Sequence, residues 1–349
     1  MASHAGSAAL CIGDMIMSLG SAGVGCRVEE DSARIGGLIE SADVVHIHGF
    51  GYPAAVAAAK AARRCGRPYV ISPLGALWPA AHSKPGWGGW FRRRLRDRGV
   101  LGAAAAVTTL NSVEERMLRE RGVGKALGRL TYGIDFSAWE QLEAAESAEP
   151  LLLFLGPIHP EEGLVALLRA AAELGGEFAG WRIVMAGVCR GSWREQIEAA
   201  VQRKGGGQRV KIVADPDESS QRQLLSSASI VAAPAMRPCL SATLLQAIAA
   251  GIPVIASELV VPWGAEGVVR GCRPAREDLR DGLKRMLCLS DGERRAEAVT
   301  IRDRCRESLG ASSSAGEWAR LYEGVMSVEH VTPGKKKKPR SGATSTTGG

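Results

Sequence analysis

Short apolar runs rich in branched residues alternate along the chain with stretches whose apolar residues recur at helical spacing. Residues 44–47 read as a buried strand, 54–62 as an alanine-rich helix, 69–71 and 105–109 as further strands, and 114–121 as a charged helix. After about residue 140 the pattern restarts: strand 151–155, helix 164–174, strand 182–186, helix 193–202, then strands at 210–213, 230–233 and 254–256. Strands recurring about every 25–30 residues with helices between them mark βαβ units and parallel sheets. Two such series predict two doubly wound, Rossmann-like α/β domains. The clearest helix is 240–250, with Leu240, Leu244, Leu245 and Ile248 on one face, Ser241 placed to cap its start and Gly251 after its end. A last helix is expected over 311–326, with Trp318, Leu321 and Val325 on one side. The acidic, alanine-rich stretch 140–150 reads as the connection. The expected organisation is therefore an N-terminal domain at 1–142, a C-terminal domain at 143–310, a helix at 311–330 that returns to the first domain, and a disordered basic tail at 331–349, which has no apolar face.

The length of 349 residues suits about two domains, and 46% hydrophobic with 23% charged residues is ordinary for a globular chain. No stretch approaches the roughly 18 consecutive apolar residues of a membrane span. The net charge of +7 invites a nucleic-acid reading, but Lys335, Lys336, Lys337, Lys338 and Arg340 supply +5 in a tail without acids, leaving +2 for the first 330 residues. Nucleic acid is therefore not an expected partner, and the tail reads as solvated. The eight cysteines are scattered and form no C-x-x-C, which argues against metal or redox chemistry and for buried free thiols in a reducing cytosol. Abundant Gly, Ala and Arg with a single Asn, Asn111, fit a GC-rich, bacterial coding sequence. The N-terminus lacks a basic stretch ahead of its apolar residues, so no signal peptide is expected.

Five motifs stand in order: Asp43-Val-Val-His-Ile-His-Gly49, Ser72-Pro-Leu-Gly75, Tyr132-Gly-Ile-Asp135, Phe154-Leu-Gly-Pro-Ile-His-Pro-Glu-Glu-Gly163 and Leu245-Gln-Ala-Ile-Ala-Ala-Gly-Ile-Pro-Val254. Together they resemble the group 1 (family 4) glycosyltransferases of the GT-B fold, over roughly residues 5–326. The resemblance implies two Rossmann-like domains facing a cleft. It also implies transfer of a sugar, with retention, from a nucleotide-sugar to a saccharide or lipid-linked acceptor. No cofactor is implied, since the nucleotide-sugar is a substrate, and no metal is expected because the cleft motifs hold no Asp-x-Asp.

A diphosphate leaving group needs cations or helix-start N–H groups. The family supplies Arg and Lys in a glycine-bounded loop after the first strand of the second domain. Here the loop runs Gly156 to Gly163, with Pro157 at the Arg position and Glu162 at the Lys position. The family's two glutamates, separated by seven residues, correspond to Pro238 and Gln246, its first-domain His to Leu74, and the Asn before Gly-Ile-Asp to Tyr132. The donor-side candidates are thus Gly156, Pro157, His159, Glu162, Gly163, Pro238 and Gln246, and the acceptor-side candidates His48, Gly49, Leu74 and Gly75. The polar site residues depart from the family while the glycines, prolines and apolar strand positions persist. Two functions are therefore carried forward: a transferase in polysaccharide or glycolipid assembly, and a catalytically silent family member that partners an active transferase.

The family opens with a strand before its first glycine-rich turn; here that opening strand is not expected, and the first helix falls at 11–19. His46 and His48 are expected on opposite sides of their strand. His159 either contacts phosphate or caps the turn at Glu161, and His82 reads as an exposed loop residue. The stretch 78–98 sets Trp87, Trp90 and Phe91 among Lys84, Arg92, Arg93, Arg94, Arg96 and Arg98. Such a stretch suits an anionic membrane surface. The expectation is a cytoplasmic protein touching the inner face of the membrane through Trp87, Trp90, Arg92, Arg93 and Arg94; the alternative is a helix with inward Trp and solvated Arg.

Overall fold

The computed structural model describes residues 5–29, 34–78, 98–123, 127–143, 145, 149–189, 193–202 and 209–327. Four parallel strands form the first sheet: β1 (Val45–His48), β2 (Tyr69–Ser72), β3 (Ala106–Thr109) and β4 (Leu127–Arg129), in that spatial order. Helices α1 (Ala5–Ser21), α2 (Ile35–Ser41), α3 (Pro53–Arg64) and α4 (Ser112–Glu120) surround it. After a short α5 (Ser137–Glu140) the second sheet holds β5 (Leu151–Leu155), β6 (Arg182–Gly187), β7 (Val210–Ala214), β8 (Ile230–Ala233), β9 (Val254–Ser257) and β10 (Gly271–Cys272). Its helices are α6 (Leu164–Glu173), α7 (Trp193–Gln202), α8 (Glu218–Ser226), α9 (Ala242–Ala249), α10 (Arg276–Leu287), α11 (Asp291–Leu309) and α12 (Ala311–Ser327). The second sheet is ordered β10-β9-β8-β5-β6-β7, all parallel, so its winding reverses between β5 and β8. The described strands of the first sheet run in one direction without a reversal.

The predicted strands appear within a residue or so of their expected places, because fully buried strands read as continuous apolar runs; every residue of β2, β3, β5 and β8 is buried. The pattern misses β4, β10 and the helices α2, α5, α8, α10 and α11. In α11 the buried residues Arg294, Ala298, Cys305 and Leu309 share one face, but that face includes an arginine and small side chains, so its apolar signal is weak. Its one local signal is the capping box of Ser290 with Glu293. The cysteines are free; Cys11, Cys272 and Cys305 are buried and Cys189 and Cys239 half-buried, but Cys26, Cys65 and Cys288 are exposed, against the expectation of burial. The stretch 79–97 and the tail 328–349 lie outside the described residues, and with them Trp87, Trp90, Arg92, Arg93, Arg94 and His82. No described helix is long and apolar enough to cross a membrane.

Helix α1 buries Cys11, Met15 and Leu19, one residue every turn, and packs on both α12 and α9. One apolar core therefore runs from the first sheet through α1 and α12 into the second domain. Trp318 of α12 is fully buried there, donating its indole N–H to the Thr131 carbonyl at 3.0 Å and stacking tilted against His46 and Tyr132. His46 pairs through Nδ1 with the Tyr322 hydroxyl at 2.7 Å and through Nε2 with the Ser72 hydroxyl at 2.8 Å. His48 Nδ1 meets the Tyr132 hydroxyl at 2.8 Å. The two histidines lie on the same side of β1, with ring centroids 3.9 Å apart. That corrects the expectation of opposite sides: residues two apart on a strand share a face.

Trp318→Ala should cost about 3–5 kcal/mol through the cavity and the lost hydrogen bond, read as a fall in the denaturant midpoint at unchanged m-value. The histidines carry a pH signature. Burial, and then the neighbouring His48, hold His46 well below its ordinary value, and burial pushes His48 down to about 4. The unfolded chain takes up these protons near pH 6.5 while the folded rings stay neutral, so their contribution is lost as pH falls from about 6.5 towards 4. Glu114 and Glu162, pushed up to about 7 by burial, act with the opposite sign above 4.5. The histidine part is therefore isolated by difference: any stability advantage of the wild type over His48→Gln should shrink by up to roughly 3 kcal/mol over that window. A difference that does not vary with pH would refute it.

Candidate functional site

In an open parallel sheet the loops leaving neighbouring strands part company where the winding reverses, and a crevice opens at the strands' carboxyl ends. Here that place lies beyond β5 and β8. The cavity there is lined by Phe154 and Leu155 at the end of β5 with Gly156 and Pro157 beyond it, and by Ala232 and Ala233 at the end of β8 with Ala235 and Arg237 beyond it. Leu74 closes it from the first domain. Ser241 adds the start of α9, accepting the Leu244 N–H at 3.2 Å as the helix cap. The Thr243 hydroxyl donates to the Leu155 carbonyl at 2.8 Å and fixes the start of α9 against the end of β5.

Two glycines make the crowding possible. Gly163 has φ +73°, and a Cβ there would stand 2.1 Å from the Pro234 carbonyl oxygen. Only glycine lets the turn Pro160–Glu162 press against the β8 loop. Gly75 has φ +77°, and its Cβ would stand 1.7 Å from the Pro238 carbonyl oxygen. The backbones of the two domains thus touch across the crevice. Glu114, at the start of α4, holds this loop by accepting the N–H groups of Gly75 at 2.6 Å and Leu110 at 2.8 Å. Leu74 is held at φ +54°, a left-handed conformation that costs a non-glycine residue roughly 1–3 kcal/mol. Trp263 fastens the domains nearby, donating its backbone N–H to the Leu110 carbonyl and its indole N–H to the Thr109 hydroxyl, each at 3.0 Å.

With the domains in this contact the cavity is about 60 Å³. That is far below the roughly 300 Å³ or more of a small-molecule pocket.

The charges inside are few and specific. Arg237 is 4% exposed. Its Nε lies 3.1 Å from Glu161 Oε2 and its Nη2 lies 3.7 Å from Glu162 Oε1. The Nε–H has no well-aligned acceptor despite that proximity. Burial raises the Glu162 carboxyl to about 7, Arg237 opposing the shift and Glu161 adding to it. Among the cavity's lining residues Arg237 is the one cation and Glu162 the one acid.

Gly156, Pro157, Glu162 and Leu74 therefore meet at the cavity, with Gly163 and Gly75 shaping it and Pro238 contributing its backbone. Gln246 is buried on α9 outside the lining. His159 caps the turn, its Nδ1 accepting the Glu161 N–H at 3.3 Å while its ring stands edge-on to Trp193. Burial lowers its pKa against the pull of Glu161. Of the two roles open to His159 the cap is the one observed. His48 and Gly49 lie apart from the cavity lining, His48 being engaged by Tyr132. Arg237 stands outside the two positions at which the family carries its cations. The only signal in the sequence was an arginine next to Pro238.

Sequence models of two families match the chain: "Glycosyl transferase 4-like domain" over residues 26–130 and "Glycosyl transferases group 1" over residues 135–264. The D-inositol 3-phosphate glycosyltransferase of Nocardia farcinica is 28% identical over 189 residues, covering 51% of this chain and 40% of that protein. The GDP-mannose:cellobiosyl-diphosphopolyprenol alpha-mannosyltransferase of Xanthomonas oryzae pv. oryzae is 23% identical over 224 residues, covering 63% and 57%. The chain thus spans about half the length of these curated relatives. Among solved structures, Anabaena HepE in complex with UDP and glucose superposes with a TM-score of 0.68 at 16% identity, covering 84% of this chain and 81% of that one. Sucrose-phosphate synthase from Thermosynechococcus elongatus gives 0.65 at 18%, covering 81% and 73%. At such identities the structural likeness is one of fold. The two parallel-sheet domains, the crevice where β5 and β8 part, and the two successive family matches agree: the chain belongs to the group 1 glycosyltransferases and has the GT-B fold.

Proposed function

We propose that the chain transfers a sugar from a nucleotide-sugar, bound at the carboxyl ends of β5 and β8, to a saccharide or lipid-linked acceptor in polysaccharide or glycolipid assembly. The observation that carries this is the position of the cavity: it lies at the winding reversal, between the domains, with the start of α9 and a buried arginine on its wall. Helix-start N–H groups and a cation are what a departing diphosphate requires. HepE, of the same fold, is solved with UDP-glucose. The Xanthomonas relative is named for a diphosphopolyprenol acceptor, which favours a lipid-linked acceptor here.

Retention of the anomeric configuration follows if a donor phosphate oxygen takes the proton of the incoming hydroxyl on the face the leaving group vacates. The protein then supplies position and charge rather than a nucleophile. Cys239, on the wall, is pushed up to about 12 by burial and so is not an ionised nucleophile. At about 60 Å³ the cavity is too small for a nucleotide-sugar, so the contact of Gly75 with Pro238 must part as one enters, as in enzymes whose domains open and close around substrate.

A second reading keeps the fold without the reaction: a silent member that partners an active transferase. Pro157 and Glu162 at the family's cation positions and the small cavity favour it. Titration calorimetry with UDP, GDP and ADP separates the two. For the transferase, one of them binds in the micromolar range and the matching nucleotide-sugar is turned over with an acceptor. For the silent member, the folded protein gives no heat with any of the three. In the transferase reading, Pro157→Arg combined with Glu162→Lys should tighten binding about tenfold or more, since each added phosphate contact contributes about 1.5 kcal/mol or more.

A further inference from the structure

We propose that Arg237 is the diphosphate-binding cation of this chain, and that a nucleotide-sugar binds by displacing Glu162 from it. This rests on the reading of the cavity as a nucleotide-sugar site. Among the described residues the cavity wall carries a single cation and a single acid, and they face each other. The lysine that a diphosphate would meet at position 162 has become a glutamate, and an arginine from the neighbouring β8 loop reaches the same spot. The sign of the charge has been exchanged between two walls of one crevice rather than lost.

The contacts of Arg237 are those of a group held ready rather than fully used. Its approach to Glu162 is loose, at 3.7 Å, and its Nε–H is 3.1 Å from Glu161 Oε2 without good alignment. A guanidinium makes its strongest contacts with two oxygens in its plane, which a phosphate offers. The Met236 N–H donates to the Glu161 carbonyl at 2.7 Å, tying the arginine's loop to the turn that carries both carboxylates. Glu161 and Glu162 thereby act as positioning residues.

Charge balance adds a consequence. A diphosphate beside an ionised Glu162 is a like-charge pair in a buried place, so Glu162 takes a proton from solvent as the ligand enters. Among the described residues, the titratable and charged groups acting on Glu162 are Arg237, Glu161 on its own turn and the neutral thiol of Cys239, with His159 beyond Glu161. Its carboxyl already lies near 7, so the proton is accessible at neutral pH.

The test is calorimetry with UDP-glucose and GDP-mannose, whose diphosphate diesters do not titrate between pH 6 and 8, in buffers of differing ionisation enthalpy. The wild type should bind one of them with proton uptake, and more weakly at pH 8 than at pH 6 by up to about tenfold. Glu162→Gln should bind at least as tightly, without proton uptake. Arg237→Gln in the Glu162→Gln background leaves no carboxylate stranded at 162 and should weaken binding about 30-fold or more. Arg237→Lys, which keeps the charge and so the fold, should weaken it by less. Wild-type binding without proton uptake, or a double variant that binds like Glu162→Gln, overturns the proposal and leaves the nucleotide-sugar site standing. Failure of the folded wild type and of Glu162→Gln to bind either compound overturns both.

Discussion

The reversal of winding between β5 and β8 is the constraint on which the rest of the site depends. Parallel strands must all end at the same edge of the sheet, and their connections must leave to one face or the other. Where the faces change, no loop covers the edge, and helix starts and strand ends converge on an open crevice. The first domain then needs only to set a loop against that crevice. It does so with Leu74 and Gly75, held from behind by the buried carboxylate of Glu114. The start of α9, the Gly156–Gly163 loop and Arg237 owe their common location to the order of the strands and not to their separation along the chain.

The same geometry explains what could be read from the sequence. Buried parallel strands are continuous apolar runs bounded by glycine and proline, so the second sheet was legible almost strand by strand, as in Leu151–Leu155 and Ile230–Ala233. Ser241 and Gly251 marked α9 for the same local reason, one as a side-chain cap and the other by its left-handed φ of +65°. Helix α11 escaped because its buried face, Arg294, Ala298, Cys305 and Leu309, is narrow and includes an arginine and small side chains, so the charged residues dominate the pattern. The site was legible in its glycines and only half legible in its charges. Glu162 was visible as an acid where a cation was wanted. That Arg237, seventy-five positions along the chain, answers it is a fact about two loops meeting in space, which no local pattern encodes.

The packing of α1 and α12 shows how the two domains share their stability. Trp318 and Tyr322 come from the end of the described chain and close on His46 and Thr131 in the first domain, while α11 and α12 meet at the Ile134 backbone. Ile134 donates to the Leu309 carbonyl at 2.9 Å and accepts from Ala311 at 3.0 Å. Opening of the crevice is therefore a motion between bodies that remain bound together through one apolar core. The contacts that must part lie near the crevice: Gly75 with Pro238, Trp263 with Leu110 and Thr109, and Asn111, whose side-chain amide donates to the Leu259 carbonyl at 2.8 Å.

The choice between a working and a silent site turns on why charges stand in that crevice at all. A buried ion pair is a weak source of stability, because taking two charges out of water costs about as much as their attraction returns, and apolar replacements of similar volume are often neutral or better. Stability alone would be served by an apolar plug between Pro157 and Leu240, on a wall that already holds Phe154, Leu155 and Val260. Instead the wall keeps a buried arginine with an imperfectly satisfied Nε–H and an acid near the middle of its titration at neutral pH. Such groups are poor filling and suitable ligands: the arginine can exchange carboxylate for phosphate, and the acid can shed its charge while it does so. The physical cost of retaining them weighs towards a site that still meets an anion.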